Sequence, residues 1–260
     1  MTKKILITGA NGQLGHEMRN ALKGNNRFEC IFTDVAELDI CNTEAVKQTM
    51  ANNHIDYIVN CAAYTQVDKA EDNAELCKKI NTDAVENLAR AAADYGARMI
   101  HISTDYVFNG RGYRPYTEDM VPDPQSVYGS TKLEGEKILT DICPESIIIR
   151  TAWLYSPYGN NFVKTMLHLG EEREELSVVA DQIGTPTCAA DLAQAILVIL
   201  QADTFVPGTY HFSDEEVGVT KGFAVQACFY IIVVYGESIE EYLFVVLFQV
   251  FKNSPILFWT

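Results

Sequence analysis

The sequence predicts an α/β fold in which a doubly wound, Rossmann-like parallel sheet is followed by a smaller C-terminal lobe. Short β-rich apolar runs alternate with helical patterns from residue 4 to about residue 150. Each run is almost continuously apolar, which is typical of parallel strands covered on both faces. The first run also leads through a glycine-rich turn into the first helix. This alternation favours successive βαβ units with right-handed crossovers.

The elements of the sheet domain follow from these patterns in chain order. The predicted strands cover residues 4–9, 28–34, 56–62, 98–104 and 146–153. The predicted helices have apolar residues at helical spacing and cover residues 14–24, 43–53, 73–96 and 127–139. The first and third helices end at a glycine, which is the residue typical of a helix C-terminus.

The regular alternation of strand and helix patterns ends after residue 151, and we expect a smaller lobe there. It comprises a helix over 161–173, a strand over 176–181 and a helix over 189–202. The predicted division is therefore a sheet domain over 1–150, a lobe over 151–216 that is partly interleaved with it, and an atypical apolar tail over 217–260. A lobe in this position would cover the carboxyl ends of the strands, where open α/β sheets bind ligands.

The composition and the net charge limit which partners and which cellular location we expect. The 260 residues carry a formal net charge of −15, so we expect no nucleic acid as a partner, because a phosphate array needs a basic face. The seven cysteines are scattered and odd in number, which is typical of free thiols in a reducing cytoplasm. The N-terminal apolar run is too short for a signal peptide, and no segment before residue 220 could span a bilayer. We expect a cytoplasmic protein without a membrane partner.

The first turn carries a pattern suited to a dinucleotide. Gly9, Gly12 and Gly15 are spaced as G-x-x-G-x-x-G between a strand and a helix. The first glycine permits a tight turn, the second lets a pyrophosphate approach the backbone, and the third allows close helix packing. The helix N-terminus adds positive potential. A glycine-rich turn without a ligand is the weaker alternative, because Asp34 follows Gly15 at close to the spacing expected for a ribose-binding acid.

Asp34 lies at the end of the second predicted strand. It could accept hydrogen bonds from the ribose 2′-hydroxyl, and no arginine stands beside it in TDVAELDI to bind a 2′-phosphate. NADH is therefore allowed as a cofactor. The alternative is that Asp34 caps a turn, since aspartate is common at strand ends.

The helix over 127–139 carries Tyr128 four residues before Lys132, so both side chains share one face. Chance alone would produce about 0.6 such pairs among 13 Tyr and 12 Lys, so the pair is weak evidence by itself. Beside a nicotinamide cofactor the pair becomes stronger evidence for a catalytic role, because an ammonium can stabilise a phenolate and lower the pKa of the tyrosine. Ser103 and Thr104 end the fourth strand, where a hydroxyl could bind a substrate carbonyl oxygen.

Seven segments occur in order from residue 3 to about residue 215. They are the glycine turn, NCAAYTQVDKAE (60–71), STDYVF (103–108), VYGSTKLEGE (127–136), RTAWLY (150–155), NNFVKTML (160–167) and DQIGTPT (181–187). Together they resemble the dTDP-4-dehydrorhamnose reductase family, which belongs to the extended short-chain dehydrogenases. The second and last segments are far more specific than the glycine and Tyr/Lys motifs, which many families share.

The resemblance implies that a hydride passes from NADH or NADPH to the C4 ketone of dTDP-4-dehydro-L-rhamnose, giving dTDP-L-rhamnose. It implies that Tyr128 donates the proton, that Lys132 assists it and that the Thr104 hydroxyl orients the reacting oxygen. Asp105 and Trp153 match positions that contact the substrate.

The resemblance also extends the cofactor site beyond the three glycines, Asp34, Tyr128 and Lys132. The further positions that match cofactor-lining residues are Asn11, Gln13, Leu14, Asp39, Ile40, Ala62, Ala63 and Tyr64. The five histidines are scattered, and we expect none of them in a metal triad. A divalent ion such as Mg²⁺ and a homodimer are left open.

The tail over 217–260 departs from the family pattern. Its apolar blocks, 223–235 and 242–251, are each shorter than a membrane-spanning helix, and the acidic GESIEE between them argues against one continuous span. Three interpretations are open: a divergent lobe, a membrane-associating tail and a frameshifted end of the gene. The abrupt change in composition favours the last.

Two alternative functions stay open at this point. A related nucleotide-sugar epimerase or dehydratase would usually have additional acid-base residues beside the STD motif, whereas Asp105 and Tyr106 suit simple reduction. A non-catalytic dinucleotide-binding regulatory subunit would keep the fold but has no need of Thr104, Tyr128 and Lys132 together.

Overall fold

The computed structural model describes residues 2–112, 114–173 and 182–214, with the backbone of 218–219. The strand expected over 176–181 and the side chains of the tail lie outside the described residues. The strands are β1 Lys3–Thr8, β2 Phe28–Thr33, β3 Tyr57–Asn60, β4 Arg98–Thr104, β5 Ile147–Thr151, β6 Leu154–Tyr155, β7 Ile183–Gly184, β8 Thr187–Cys188, β9 Gly208–His211 and β10 Gly218–Val219. The helices are α1 Gln13–Ala21, α2 Thr43–Asn53, α3 Val67–Asp72, α4 Ala74–Lys78, α5 Ala84–Tyr95, α6 Val127–Ile142, α7 Phe162–Glu172 and α8 Ala189–Gln201.

The main sheet has six strands in the order β2-β1-β3-β4-β5-β9, and every neighbouring pair is parallel. The chain runs outward from β1 to β2 and then crosses back to β3 on the other side. This reversal makes the boundary between β1 and β3 the topological switch point, where such sheets bind ligands. The predicted doubly wound, Rossmann-like fold class is confirmed.

Helices cover both faces of the sheet, which explains the near-continuous apolar strands. Leu6, Ile58 and Met99 point into a cluster shared with α2, α5 and α6. Ile5 and Ile7, the neighbours of Leu6 in β1, point into the opposite cluster with α1 and α8. Alternate residues of one strand therefore enter different cores, and neither face can be polar.

The chain separates into two compact units. The larger comprises residues 1–159 and 187–214, and the smaller comprises 160–186 and 215–260. The segment 187–214, which the sequence analysis assigned to the lobe, belongs to the larger unit because β9 pairs with β5 and α8 packs on α1. In the smaller unit, Asn161 caps α7 by accepting from the backbone N–H of Lys164, and β7 pairs with β10.

Several elements differ from the expectations, and helix α3 and the two-residue strands β6, β7, β8 and β10 were not predicted. Strand β9 was not predicted, because a four-residue edge strand that is partly exposed has little apolar periodicity. The helix expected over 73–96 is divided into α4, a π-helical turn over Lys79–Asp83 and α5. Within the part of the chain that the structure describes, no helix has the length and apolar character needed to cross a membrane.

We predict that Gly15→Ala destabilises the protein by about 2 kcal/mol, the range typical of an overpacked site. A Cβ on Gly15 would lie 2.5 Å from Cα of Ala10 and also meet the carbonyl oxygen of Gly9. Gly170→Ala is the matched control, since Gly170 is also helical but has no atom within 4 Å of the added carbon. Urea unfolding of both variants measures the effect, and equal stability would contradict the prediction.

Candidate active site

The glycine turn joins β1 to α1 beside the end of β3. Gly9 adopts φ 64°, and a Cβ there would lie 2.6 Å from the backbone nitrogen of Ala62. Gly12 donates its N–H to the carbonyl of Gly9 at 3.0 Å and forms the N-cap of α1 without a side chain to cap it. Among the described residues no side chain caps the N-terminus of α1, whose positive end faces this turn, and the turn therefore fits a pyrophosphate.

Asp34 holds this turn from the end of β2. Its Oδ2 accepts from the backbone N–H of Asn11 at 2.9 Å, and its Oδ1 accepts from that of Val35 at 2.8 Å. The turn-capping alternative therefore describes part of its role. A carboxylate has about four acceptor positions, so the same group has capacity left for ribose hydroxyls.

The residues after β3 complete the switch point. Asn60 accepts from the backbone N–H of Ala62 at 3.2 Å, and the Asn81 side chain makes a pair of bonds with Tyr64, accepting from its N–H at 2.9 Å and donating to its carbonyl at 3.1 Å. Asn81 lies in the π-helical turn, and its role was missed because no motif connects it with residue 64. The segment containing Ala62, Ala63 and Tyr64 thus has a defined backbone path.

The other residues expected to line a cofactor are spread around this centre. Leu14 is buried in the core under α1, and Gln13 donates to the carbonyl of Leu154 at 3.4 Å. Asp39 is exposed and accepts from the backbone N–H of Cys41, whereas Ile40 is buried. The two apolar members, Leu14 and Ile40, pack in the opposite core clusters of the sheet.

Tyr128 and Thr104 come together from different elements. Ser126 caps α6 by accepting from the backbone N–H of Gly129 at 3.0 Å, and this places Tyr128 in the first turn. Its phenol lies close enough to the Thr104 side chain for Thr104 to lower the pKa of the phenol. The Thr104 hydroxyl also donates to Oδ1 of Asp105 at 3.1 Å. Three oxygen-bearing groups thus meet at the end of β4.

Burial raises the pKa of Tyr128, and the neighbouring Thr104 side chain opposes this effect only in part. Lys132 was expected to lower this pKa, but burial outweighs other effects on the phenol. The side-chain nitrogen of Lys132 lies 2.6 Å from the carbonyl oxygen of Ile102, to which it donates. Tyr128 consequently holds its proton at neutral pH, as a proton donor must.

Lys132 is almost completely buried, with 1% of its surface exposed. Burial lowers its pKa to about 8, although the carboxylate of Glu136 acts in the opposite direction. Glu136 itself forms a buried pair with Arg150, whose Nε and Nη2 donate to its two oxygens at 3.0 and 2.6 Å. The lysine therefore titrates close to neutral pH.

Asp105 and Trp153, the residues expected to contact a substrate, have unusual local properties. Burial raises the pKa of Asp105 to about 6, against the effect of the bond from Thr104. Trp153 adopts φ 45°, a left-handed conformation that non-glycine residues rarely adopt. Its carbonyl accepts from the backbone N–H of Thr187 at 3.3 Å. Strain of this kind is concentrated at functional sites.

No group of three or more His, Cys, Asp or Glu suited to a metal ion occurs among the described residues. The divalent ion considered in the sequence analysis thus has no cluster to bind it in that part of the chain. The arrangement instead suits a dinucleotide, because the N-terminus of α1 has no side-chain cap within the described residues and a carboxylate follows β2.

Comparison with known proteins gives one consistent family. A family model described as the RmlD substrate binding domain matches residues 3–240. A relative from Aggregatibacter actinomycetemcomitans, named dTDP-4-dehydrorhamnose reductase, is 42% identical over 258 residues, which are 98% of this chain and 83% of that protein. A relative of the same name from Escherichia coli (strain K12) is 47% identical over 215 residues, covering 80% of this chain and 71% of that protein.

Solved structures agree with this finding. A dTDP-4-dehydrorhamnose reductase from Bacillus anthracis str. Ames in complex with NADP has a TM-score of 0.85 at 42% identity, over 89% of this chain and 81% of that chain. One from Clostridium acetobutylicum ATCC 824 has a TM-score of 0.83 at 47% identity, over 88% and 80%. The UDP-glucose 4-epimerase from Thermus thermophilus has a TM-score of 0.74 over 86% and 82%, but at 18% identity it shows the fold alone.

We predict that Asp105→Asn stabilises the protein increasingly as the pH rises. A carboxyl group whose folded pKa is about 6 binds its proton more tightly in the fold than in the unfolded chain. Its ionisation therefore lowers stability between its unfolded and folded pKa values, and the loss is complete above about pH 6. The advantage of the variant over wild type should grow by about 1 kcal/mol between pH 5 and pH 8.

Urea unfolding at the two pH values measures this difference. The matched control is Asp94→Asn, at an exposed aspartate near the end of α5. An advantage that is constant with pH, or equal to that of the control, would contradict the role of burial at Asp105.

Proposed function

This chain belongs to the RmlD substrate-binding-domain family, and from that premise we propose that it is a reductase of a nucleotide sugar. It transfers a hydride from NADH or NADPH to the C4 ketone of dTDP-4-dehydro-L-rhamnose, giving dTDP-L-rhamnose. The name shared by its relatives supports this substrate. Its product would supply activated rhamnose for polysaccharide synthesis.

The observation that carries the proposal is that the Tyr128 and Thr104 side chains come together beside the buried Lys132. Reduction of a ketone needs a proton for the oxygen as well as a hydride for the carbon. A bound reduced nicotinamide supplies the hydride. The protein must therefore supply a proton donor whose position is set by neighbouring groups, and Tyr128 is such a group.

Each of these side chains has a separate task in the proposed reaction. Tyr128 donates its phenolic proton to the C4 oxygen and recovers a proton from solvent afterwards. The Thr104 hydroxyl binds the same oxygen, which places it for both transfers. Lys132, when protonated, stabilises the phenolate that Tyr128 becomes. Asp105 and Trp153 would contact the sugar nucleotide, the latter with an aromatic face suited to stacking on thymine.

The cofactor would be held by the switch-point edge of the sheet. The α1 amides after Gly12 would bind the pyrophosphate, and Asp34 would bind the adenosine ribose. A cytoplasmic location and a homodimer stay predictions.

We predict that Tyr128→Phe lowers turnover by about 10²- to 10⁴-fold, the usual contribution of a general acid, with nearly unchanged cofactor affinity. The change removes the proton and keeps the ring that packs on Ala70 and Cys77. Loss of reduced-nicotinamide absorbance with dTDP-4-dehydro-L-rhamnose measures turnover, and fluorescence titration measures affinity. Lys132→Ala should weaken both quantities.

Tyr95→Phe is the matched control, because Tyr95 is exposed at the end of α5. It should turn over as wild type does. Full activity of Tyr128→Phe would refute the assigned proton donor, and absence of sugar-dependent oxidation by wild type would refute the reductase.

Asp34 gives a test of cofactor preference. Its carboxylate would repel a 2′-phosphate, so Asp34→Asn should raise the ratio of kcat/KM for NADPH to that for NADH by about tenfold, which corresponds to about 1.4 kcal/mol. General damage to the turn that Asp34 holds would lower kcat/KM for both cofactors, so it cancels in the ratio. Asp94→Asn serves as the control, and an unchanged ratio in Asp34→Asn would place the ribose away from this residue.

A further inference from the structure

A series of buried hydrogen bonds leads from β1 towards Lys132. Oδ1 of Asn60 accepts from the Thr8 hydroxyl at 2.7 Å and from the backbone N–H of Ala62 at 3.2 Å. A backbone N–H can only donate, so the contact with Ala62 identifies which end of the Asn60 amide is the oxygen. The Asn60 NH₂ group therefore faces Nδ1 of His101, at 3.0 Å.

This orientation determines the tautomer of His101. An NH₂ group donates, so Nδ1 must present its lone pair, and the single proton of a neutral ring is on Nε2. A second proton would put two donors face to face. His101 is fully buried, and burial is the largest cause that lowers its pKa well below the ordinary value. The ring is consequently neutral.

Nε2 of His101 lies 3.4 Å from Nζ of Lys132. An ammonium group has three protons and no lone pair, so an N–H directed at it makes no hydrogen bond. A neutral amine can accept that N–H and still donate to the carbonyl of Ile102, 2.6 Å away. The contacts of Lys132 therefore suit the unprotonated side chain.

We propose that His101 is a positioning residue that donates its Nε2–H to the unprotonated amine of Lys132, and so controls the direction and protonation of this lysine from β4. The inference rests on the proposed function for its kinetic consequence, because Lys132 is the residue that would assist Tyr128. Its structural part concerns the protein without any nucleotide.

The other groups that act on Lys132 come from α4 and α6. Glu136 favours the ammonium form, and Cys77 is the other titratable group that acts on the lysine. Arg150 occupies both oxygens of Glu136, which weakens that attraction. Tyr128 is neutral, because burial raises its pKa. The balance leaves the pKa of Lys132 at about 8, so both protonation states are populated around this pH and one hydrogen bond from His101 changes their ratio.

The first test determines the tautomer directly. Long-range ¹H–¹⁵N correlation spectra of the full chain, labelled at histidine and recorded without nucleotide, distinguish protonated from unprotonated ring nitrogens. The signal of His101 is assigned by its loss in His101→Gln. We expect a proton on Nε2 and none on Nδ1 between pH 6 and pH 8. A proton on Nδ1, or on both nitrogens, would overturn the proposal even if no variant could be purified.

The second test measures the effect on Lys132 by ¹³Cε titration, with its signal assigned by Lys132→Arg. His101→Leu removes the donor to the neutral amine, so the pKa of Lys132 should rise by about half a unit to one unit. His101→Gln can accept from Asn60 and donate to the lysine, so it should restore the wild-type value. His168→Leu, at an exposed histidine of α7, is the matched control. Equal values in wild type and His101→Leu, or a Gln variant that behaves as Leu does, would refute the role of His101.

Kinetics then separate this inference from the proposed function. The alkaline limb of the pH profile of kcat/KM, which reports groups of the free enzyme, should move upward in His101→Leu by the shift found in the titration. If His101→Leu oxidises the reduced nicotinamide in a sugar-dependent way but its alkaline limb does not move, only the role of His101 is refuted. A wild-type protein that turns over no sugar would refute the reductase, while the tautomer and the titration would still decide the contact.

Discussion

Parallel pairing of β1 with both β2 and β3 is the constraint on which the candidate site depends. Because all six strands of the main sheet run in one direction, their carboxyl ends share one edge. Gly9, Asp34, Asn60 and Thr104 follow or end four of these strands and are therefore neighbours in space, although 95 residues separate the first from the last. The reversal of strand order at β1 places the gap for a ligand between them.

The same constraint makes the site rigid. Both faces of the sheet are covered, so polar side chains buried in or against it gain stability from partners inside the protein. Lys132 does so through the carbonyl of Ile102, and Arg150 does so through Glu136. Such fixed partners hold reactive groups in place, but they also shift pKa values. The raised pKa of Asp105 and the lowered pKa of Lys132 both follow from burial.

Local patterns revealed much of the fold, since five of the six strands in the main sheet have apolar runs long enough to recognise. The sixth, β9, is short and partly exposed, and it joins the sheet only because β5 offers it an edge. No sequence pattern predicted the π-helical turn within the helix expected over 73–96. It places Asn81 against Tyr64, and a partner 17 residues away in a different element leaves no local periodicity.

The sequence by itself determined the succession of βαβ units, the glycine turn and the pairing of Tyr128 with Lys132 on one helical face, because these depend on residues close in the chain. The tertiary structure alone decided the protonation of those two residues. Burial raises the pKa of Tyr128 and lowers that of Lys132, and His101 faces the lysine from a strand 31 residues earlier. Solvent exclusion and contacts across elements arise only when the chain is packed, so no motif can encode them locally.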